Sequence, residues 1–431
     1  MILKEIEKEI EKEKGNGHFI YPFYEKYCFS NVPSMILELF NIKPLRQNIL
    51  SQIIKDRFEI EKISKIVLFL IDGLGYNFWT NYLEKFEVFH NFTKKGTVMP
   101  LTSVFPSTTA ATLTTINSGL TPQEHGLPEW VTYFKEIDML VNTLPFSPLE
   151  IGGRDELLKM QVSPRMLYKG ETIYQILKGS GVESFSFINE SYAHSAYSRL
   201  VHKGSNKIPF IHPSDLAVKL KNSIRQEREP AYFYVYIDDI DYVGHKYGPD
   251  SDEFITELTA ISKFFSKFFN AMDKKTASET IILIVADHGI IDVSPQDTIY
   301  LNKYQRLIKN FQISEMGNLI PPTGSPRDVF LHVKQDKIEE IHDFLSEELK
   351  EKAKILRTEE AIEMNLFGLG KPTKEFIDRI GNLLILPYNN HTVWYEHLEG
   401  RKFDSLGHHG GLNKEEMLIP FAVANLSELI E

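Results

Sequence analysis

Three aspartates and three histidines, carried in four short motifs, are the residues of this chain whose types and spacing suit metal binding. Asp72 closes the apolar run Val67-Leu68-Phe69-Leu70-Ile71 and is followed by Gly73. Asp241 and His245 stand four residues apart in Asp-Tyr-Val-Gly-His, so on a helical turn a carboxylate and an imidazole face the same way and can share one ion. Asp287 and His288 end a second apolar run ahead of Gly289. His409 lies in Gly407-His408-His409-Gly410-Gly411, where paired glycines let the backbone approach a shared site closely. Each motif alone has a plainer explanation, such as a capping Asp, an exposed ion pair, a packed His or a glycine turn. Their joint occurrence is harder to explain without metal, because carboxylates gathered at buried strand ends need cations to neutralise them. The set divides into Asp72, Asp287 and His288 at one divalent ion and Asp241, His245 and His409 at a second. Each tetrahedral site then keeps one open position, the mark of a catalytic metal. Asp and His donors without thiolate favour zinc, with manganese or iron as rivals.

The nucleophile is sought in the segment 104–119, where small residues follow a β-like run and open a helix that ends before Gly119. A helix N-terminus presents free N–H groups and a positive dipole end to a phosphate. Thr108 and Thr109 both stand there, and a hydroxyl in that place is ordinarily a cap. An unaided threonine is a poor nucleophile at neutral pH and no histidine stands beside these two, which leaves coordination to a metal as the way to activate one of them.

The elements that must position these residues are short apolar runs at Lys65–Asp72, Ser184–Asn189, Ala231–Asp238 and Thr280–Asp287. They do not alternate, and continuous apolar strands mean burial on both faces, as in a largely parallel sheet covered by helices such as Glu253–Met272. The predicted class is therefore α/β with a three-layer core. Ligands of open parallel sheets lie beyond the carboxyl ends of the strands, which is where the acidic residues fall. Residues 1–64 are expected to wrap the sheet, with a short helix at Pro33–Leu39 and, at the Glu/Lys-rich start, a solvated helix or frayed arm. Residues 65–290 form the catalytic core, 291–395 an inserted cap and 396–431 the return to the core. In the cap, strands are expected at Val329–Val333 and Leu383–Leu386 and a helix at Asp336–Lys350.

Composition narrows the function classes. A formal charge of −11 opposes non-specific binding to nucleic acid. Neither a signal-peptide core nor an apolar stretch of membrane-spanning length is found, so no membrane partner is expected. Cys28 is the only cysteine, which excludes an intrachain disulfide and suggests a reducing, cytoplasmic setting.

The four motifs, in this order, resemble the alkaline phosphatase superfamily and specifically its type I phosphodiesterase/nucleotide pyrophosphatase family. That family places a nucleophilic Thr ten residues before a Gly that precedes Pro-x-x-His-Gly. Counting back from Gly119 selects Thr109 over Thr108, and Pro122-Gln123-Glu124-His125-Gly126 follows as the pattern asks. The family's Asp-x-x-Gly-His matches Asp241, Gly244 and His245, its Asp-His-Gly matches 287–289, and its terminal His-Gly selects His409 over His408. Two departures stand out: a usual proline is Ala111, and an asparagine that helps hold a phosphate oxygen falls on Trp130. The resemblance covers 65–290 and 404–424 but not the cap.

The resemblance implies an alkaline-phosphatase-like three-layer α/β/α sandwich with an inserted cap. It also implies two divalent ions, zinc first, with Thr109 as an additional ligand, and hydrolysis of phosphodiesters or nucleotide pyrophosphates through a phosphothreonine on Thr109. The expected partner is a small phosphorylated substrate, a nucleotide among the candidates. Diesters are preferred because two ions, three Asp and a Thr109 alkoxide sum to about zero formal charge, leaving no surplus for a monoester dianion unless Lys135, Arg154 or Arg327 folds over the site. The sulfatase branch is disfavoured because Cys28 sits in no Cys-x-Pro-x-Arg segment. The rivals are a phosphomonoesterase, a metal-dependent phosphosugar mutase and a catalytically inactive metal-binding module.

Overall fold

Seven strands make the main sheet: β1 Lys65–Ile71, β2 Thr97–Thr102, β3 Glu183–Asn189, β4 Asn206–Phe210, β5 Ala231–Ile237, β6 Thr280–Val285 and β7 Leu418–Asn425. The computed structural model describes residues 1–430. The strand order is β2-β7-β6-β1-β5-β3-β4, and β7 alone runs antiparallel to its neighbours. β1 is buried along its whole length and pairs in parallel with β5 and β6. The register sets Ile71 beside Ile237 and Leu70 beside Val285, so the chain leaves the sheet into Asp72, Asp238 and Asp287 at one edge. The four strands expected from their apolar runs are all present: three end a residue or two before Asp72, Asp238 and Asp287, and β3 keeps Asn189 in the ladder opposite Phe210.

Helices cover both faces. On one, Phe264, Phe265 and Phe268 of the helix Asp252–Asn270 pack around Phe69. On the other, Tyr174 of the helix Ile173–Gly179 lies against Tyr232 of β5, and the helix Thr109–Ser118 runs beside it. A smaller sheet, antiparallel throughout, joins Ala353–Arg357, Leu383–Pro387, Asp328–Leu331 and Thr323–Ser325 to Val131–Phe134, Met139–Asn142 and Ser147–Pro148. It thus draws strands from 131–148 as well as from the 291–395 stretch. The expected cap helix is an α-helix over Ile338–Glu348 behind a 3-10 turn.

The sequence reading of the first residues needs correction. Lys4–Lys14 is a helix, but no frayed arm: it buries Ile6 and Ile10, and the Leu3 N–H donates to the Val98 carbonyl at 2.8 Å at the edge of β2. The Glu/Lys pairs of its outer face masked the i, i+4 isoleucines of its inner one. Strand β7 carries Pro420, which argues against a strand from sequence alone. In the ladder Pro420 lies opposite Pro100, so both missing donors fall at one register position. Among the described residues no helix is long and apolar enough to cross a membrane.

Candidate active site

All seven residues singled out by sequence meet at the carboxyl edge of the main sheet. Asp72 follows β1, Asp287 and His288 follow β6, and Asp241 and His245 lie on the helix Asp239–Tyr247 that begins where β5 ends. His409 arrives from 164 residues beyond His245, on the glycine loop before β7.

The histidines are oriented by their outer nitrogens. Nδ1–H of His288 donates to the Gly289 carbonyl (3.0 Å), that of His245 to Gly407 (2.8 Å) and that of His409 to Ser107 (2.9 Å). A carbonyl only accepts, so each ring carries a proton on Nδ1 and turns Nε2, the atom a metal ion would take, inward. His288 Nε2 lies 3.3 Å from Asp72 Oδ1, 3.3 Å from Asp287 Oδ2 and 3.2 Å from Thr109 Oγ1. His245 Nε2 lies 3.3 Å from Asp241 Oδ2 and 3.2 Å from His409 Nε2, and His409 Nε2 is 3.6 Å from Asp241 Oδ1. The tightest three-atom groups are Asp72, Asp287, His288 and Asp241, His288, His409, so His288 stands between the two clusters.

The carboxylates are held too. Asp287 Oδ1 accepts from the N–H groups of Gly73 (3.1 Å) and His288 (2.9 Å), and Asp72 Oδ2 accepts from the Tyr236 hydroxyl. Asp72 Oδ1 and Asp241 Oδ1 are buried with no hydrogen-bond partner. Burial first, then the neighbouring Asp287 and Asp241, push the Asp72 carboxyl well above its ordinary range, and burial raises Asp287 as well. Burial would also raise Asp241, but His245 and His409 outweigh it and hold that carboxyl low. Burial, reinforced by His288, keeps His409 neutral. Orphaned carboxylate oxygens gathered around inward-turned imidazole Nε2 atoms fit divalent metal ions, which would complete both sets of donors.

Thr109 is the first residue of the helix Thr109–Ser118, and Gly119 ends that helix in the left-handed region at φ +77°. Thr108 precedes it in extended conformation and makes no side-chain cap. The Thr108 hydroxyl is buried beside the Glu129 carboxylate, and among the described residues no hydrogen bond links it to the candidate metal ligands.

A cavity of about 590 Å³ opens over the cluster. Trp130, 42 % exposed, stands in its wall at the place expected for a phosphate-binding asparagine. Of the three cations considered from sequence, Lys135 pairs with Glu315 at the surface and Arg327 is fully buried against Glu416. Only Arg154 reaches the cavity, its guanidinium 5.7 Å from the Tyr192 ring centre, and Lys402 joins it from the C-terminal stretch. Glu129 and Tyr236 are site residues that motif reading missed. Glu129 carried no signal, whereas Tyr232, Tyr234 and Tyr236 repeat at the two-residue period of one strand face.

Arg327 braces the His409 loop instead of binding phosphate. Its Nε and Nη2 bond both oxygens of Glu416 (3.0 and 2.8 Å), and these oxygens accept from the N–H groups of Gly411 (2.9 Å) and Asn413 (3.2 Å). Arg327→Met leaves Glu416 buried without its cation, and is expected to lower unfolding free energy by about 3–5 kcal/mol. Urea denaturation measures this; a loss below about 1 kcal/mol would mean that the loop is held by other contacts.

A family model described as type I phosphodiesterase/nucleotide pyrophosphatase matches residues 66–412. Human ectonucleotide pyrophosphatase/phosphodiesterase family member 1 is 23% identical over 252 residues, which is 57% of this chain and 26% of that protein. Venom phosphodiesterase CdcPDE of Crotalus durissus collilineatus is 24% identical over 276 residues, 62% of this chain and 31% of that one. The chain thus spans between a quarter and a third of the length of these curated relatives. Among solved structures, murine ectonucleotide pyrophosphatase/phosphodiesterase 5 superposes with a TM-score of 0.63 at 18% identity, over 84% of this chain and 88% of the other. An inactive threonine-to-alanine variant of the same murine protein, in complex with AMP, superposes at 0.61. These likenesses support the three-layer α/β architecture.

Proposed function

The chain belongs to the type I phosphodiesterase/nucleotide pyrophosphatase family, and from that premise we propose that it hydrolyses phosphodiesters or nucleotide pyrophosphates with Thr109 as nucleophile. The observation that carries this reading is the inward turn of three Nε2 atoms, each fixed by an Nδ1–H bond to a carbonyl, onto three Asp and the Thr109 hydroxyl.

Asp72, Asp287, His288 and Thr109 would hold one divalent ion and Asp241, His245 and His409 a second, zinc being the first choice for this donor set. When bound, such ions supply the positive charge that makes a hydroxyl or water acidic enough to attack and that neutralises the oxygens of phosphorus. Thr109 Oγ1 attacks phosphorus in line; as the threonine oxygen–phosphorus bond forms, the bond to the departing oxygen breaks, leaving a phosphothreonine. The Thr109 and Ala110 N–H groups, in the first turn of their helix and without intrahelical acceptors, suit the equatorial oxygens. Attack by water on the phosphothreonine then releases phosphate or phosphomonoester and restores Thr109. The single Cys28, which is buried, supports a cytoplasmic location, to be checked by cell fractionation.

Arg154 and Lys402 favour the rival monoesterase reading, since extra cations stabilise a dianion. Glu129, Asp238 and Asp404 line the same cavity and offset them. Burial pushes the Glu129 carboxyl up to about 7 and that of Asp238 to about 6, so both are at least half charged at neutral pH. We therefore expect kcat/KM for bis-p-nitrophenyl phosphate to exceed that for p-nitrophenyl phosphate by roughly tenfold or more, the cost of one uncompensated charge near the reacting centre. A clear monoester preference would assign Arg154 or Lys402 to the phosphate and favour the monoesterase. Failure to hydrolyse either compound, with divalent metal supplied, would leave the mutase or inactive module.

A further inference from the structure

The cavity over the metal cluster does not stop at Thr109. Leu113 and Asn117 line it as well. Positions four and eight residues on share one face of a helix, so the cavity follows that face inward for about 12 Å. Across from it, Tyr236 and Tyr234 project from the same face of β5, Tyr236 at the metal end where it bonds Asp72 and Tyr234 one step deeper. Ser198 and His202, on and just after the helix Ala196–Val201, complete this inner arm.

Apart from the apolar Leu113, the side chains that define the arm are polar without being charged. Asn117, Ser198 and Tyr234 carry no charge, and burial pushes His202 down to about 3, leaving it neutral. Burial likewise holds the Tyr234 phenol well above its usual range, so the hydroxyl keeps its proton. That hydroxyl is buried beside the Asn117 side chain, whose amide is already engaged with the Tyr174 hydroxyl (2.5 Å) and the Leu113 carbonyl (2.8 Å), so Tyr234 makes no close hydrogen bond among the described residues and a ligand can supply one. His202 engages the Tyr174 hydroxyl through Nδ1 at 3.3 Å, and among the described residues its Nε2 has no partner.

We propose that the inner arm is a specificity subsite, one that takes a compact uncharged polyhydroxy group, a sugar or a polyol, esterified to the phosphorus at Thr109. An acyl chain would leave the Tyr234 hydroxyl unpaired, and an ammonium or second phosphate would be desolvated there without a counter-charge. Hydroxyls donate and accept, which matches single polar atoms arriving from several directions. The inference rests on the hydrolase reading above and narrows its substrate class.

The test compares p-nitrophenyl phosphodiesters that share one leaving group and differ in the retained alcohol: 2,3-dihydroxypropyl, glucos-6-yl and propyl. The dihydroxypropyl ester should exceed the propyl ester in kcat/KM by roughly tenfold, the worth of one to two hydrogen bonds. A further gain with the glucosyl ester identifies a sugar, and none identifies a polyol. Tyr234→Phe and Ser198→Ala should each pull the dihydroxypropyl-to-propyl ratio toward one. Because the ratio is internal to each preparation, general damage to the fold does not mimic the effect, and either variant suffices if the other fails to fold. A wild-type ratio near one or below, with both esters hydrolysed, overturns this inference and leaves the hydrolase reading standing. A high ratio that neither variant changes overturns the placement in this arm. Hydrolysis of no ester overturns the reading beneath it, and the inference falls too.

Discussion

Thr109→Ala is expected to lower phosphodiester turnover at least about a thousandfold, because the other hydroxyls at the cluster, those of Tyr236 and Thr112, are buried and spent on Asp72 and Asp287. Thr109 Oγ1 is 3.2 Å from His288 Nε2, whereas the adjacent Thr108 makes no cap and faces Glu129 instead of the candidate metal ligands. Thr108→Ala should therefore change turnover by no more than a few fold, and Thr109→Ser should keep a measurable rate. The Thr109→Ala protein should fold and hold most of its metal, since one donor in about four is lost at a single ion. Circular dichroism, metal content and steady-state rates on the same preparations decide it. Activity surviving in Thr109→Ala and dying in Thr108→Ala would move the nucleophile by one residue and break the match to Gly119.

The second large effect concerns the ions. Active protein is expected to contain about two divalent ions per chain, and exhaustive chelation should abolish turnover, with recovery on adding zinc or manganese. The position of His288 predicts an asymmetry among the ligand variants. His288 belongs to both tight donor groups, while His245 directs its Nε2 at Asp241 and His409 and belongs to neither. His288→Ala should thus deplete both ions, and His245→Ala about one. Removing metal should also lower the unfolding temperature, because Asp72 and Asp287 are buried carboxyls whose ionisation burial disfavours, Asp72 the more for having Asp287 beside it. Elemental analysis settles the count: full activity in protein with one ion or none rules out the two-ion arrangement.

Much of this site could be read from the chain without its fold. Asp72, Asp287 and His288 announce themselves because apolar runs that must be buried end in groups that resist burial, and Asp241 and His245 because four residues is one helical turn. The four core strands were legible for the same reason, since a strand buried on both faces has no polar alternation to disguise it. Local chemistry and local periodicity are properties of a few consecutive residues, and sequence carries them directly.

What the sequence left open depends on elements far apart in the chain. The inner stripe of Ile6 and Ile10 is evident only against β2, and β7 accommodates Pro420 because Pro100 lies opposite it in the ladder. Arg327, a free cation on paper, is locked to Glu416 across 89 residues, so it stabilises the His409 loop and is lost to the phosphate. The pairing of Asn117 with Tyr234, Ser198 and His202 around one cavity has no signature at all in spacing, because the helix and strand that carry them are separated by more than a hundred residues. Residue types and their short-range order thus carry the proposal of metal and phosphate chemistry; which side chains line the cavity, and which are consumed in holding the loops, is decided by packing between surfaces that only the folded chain brings together.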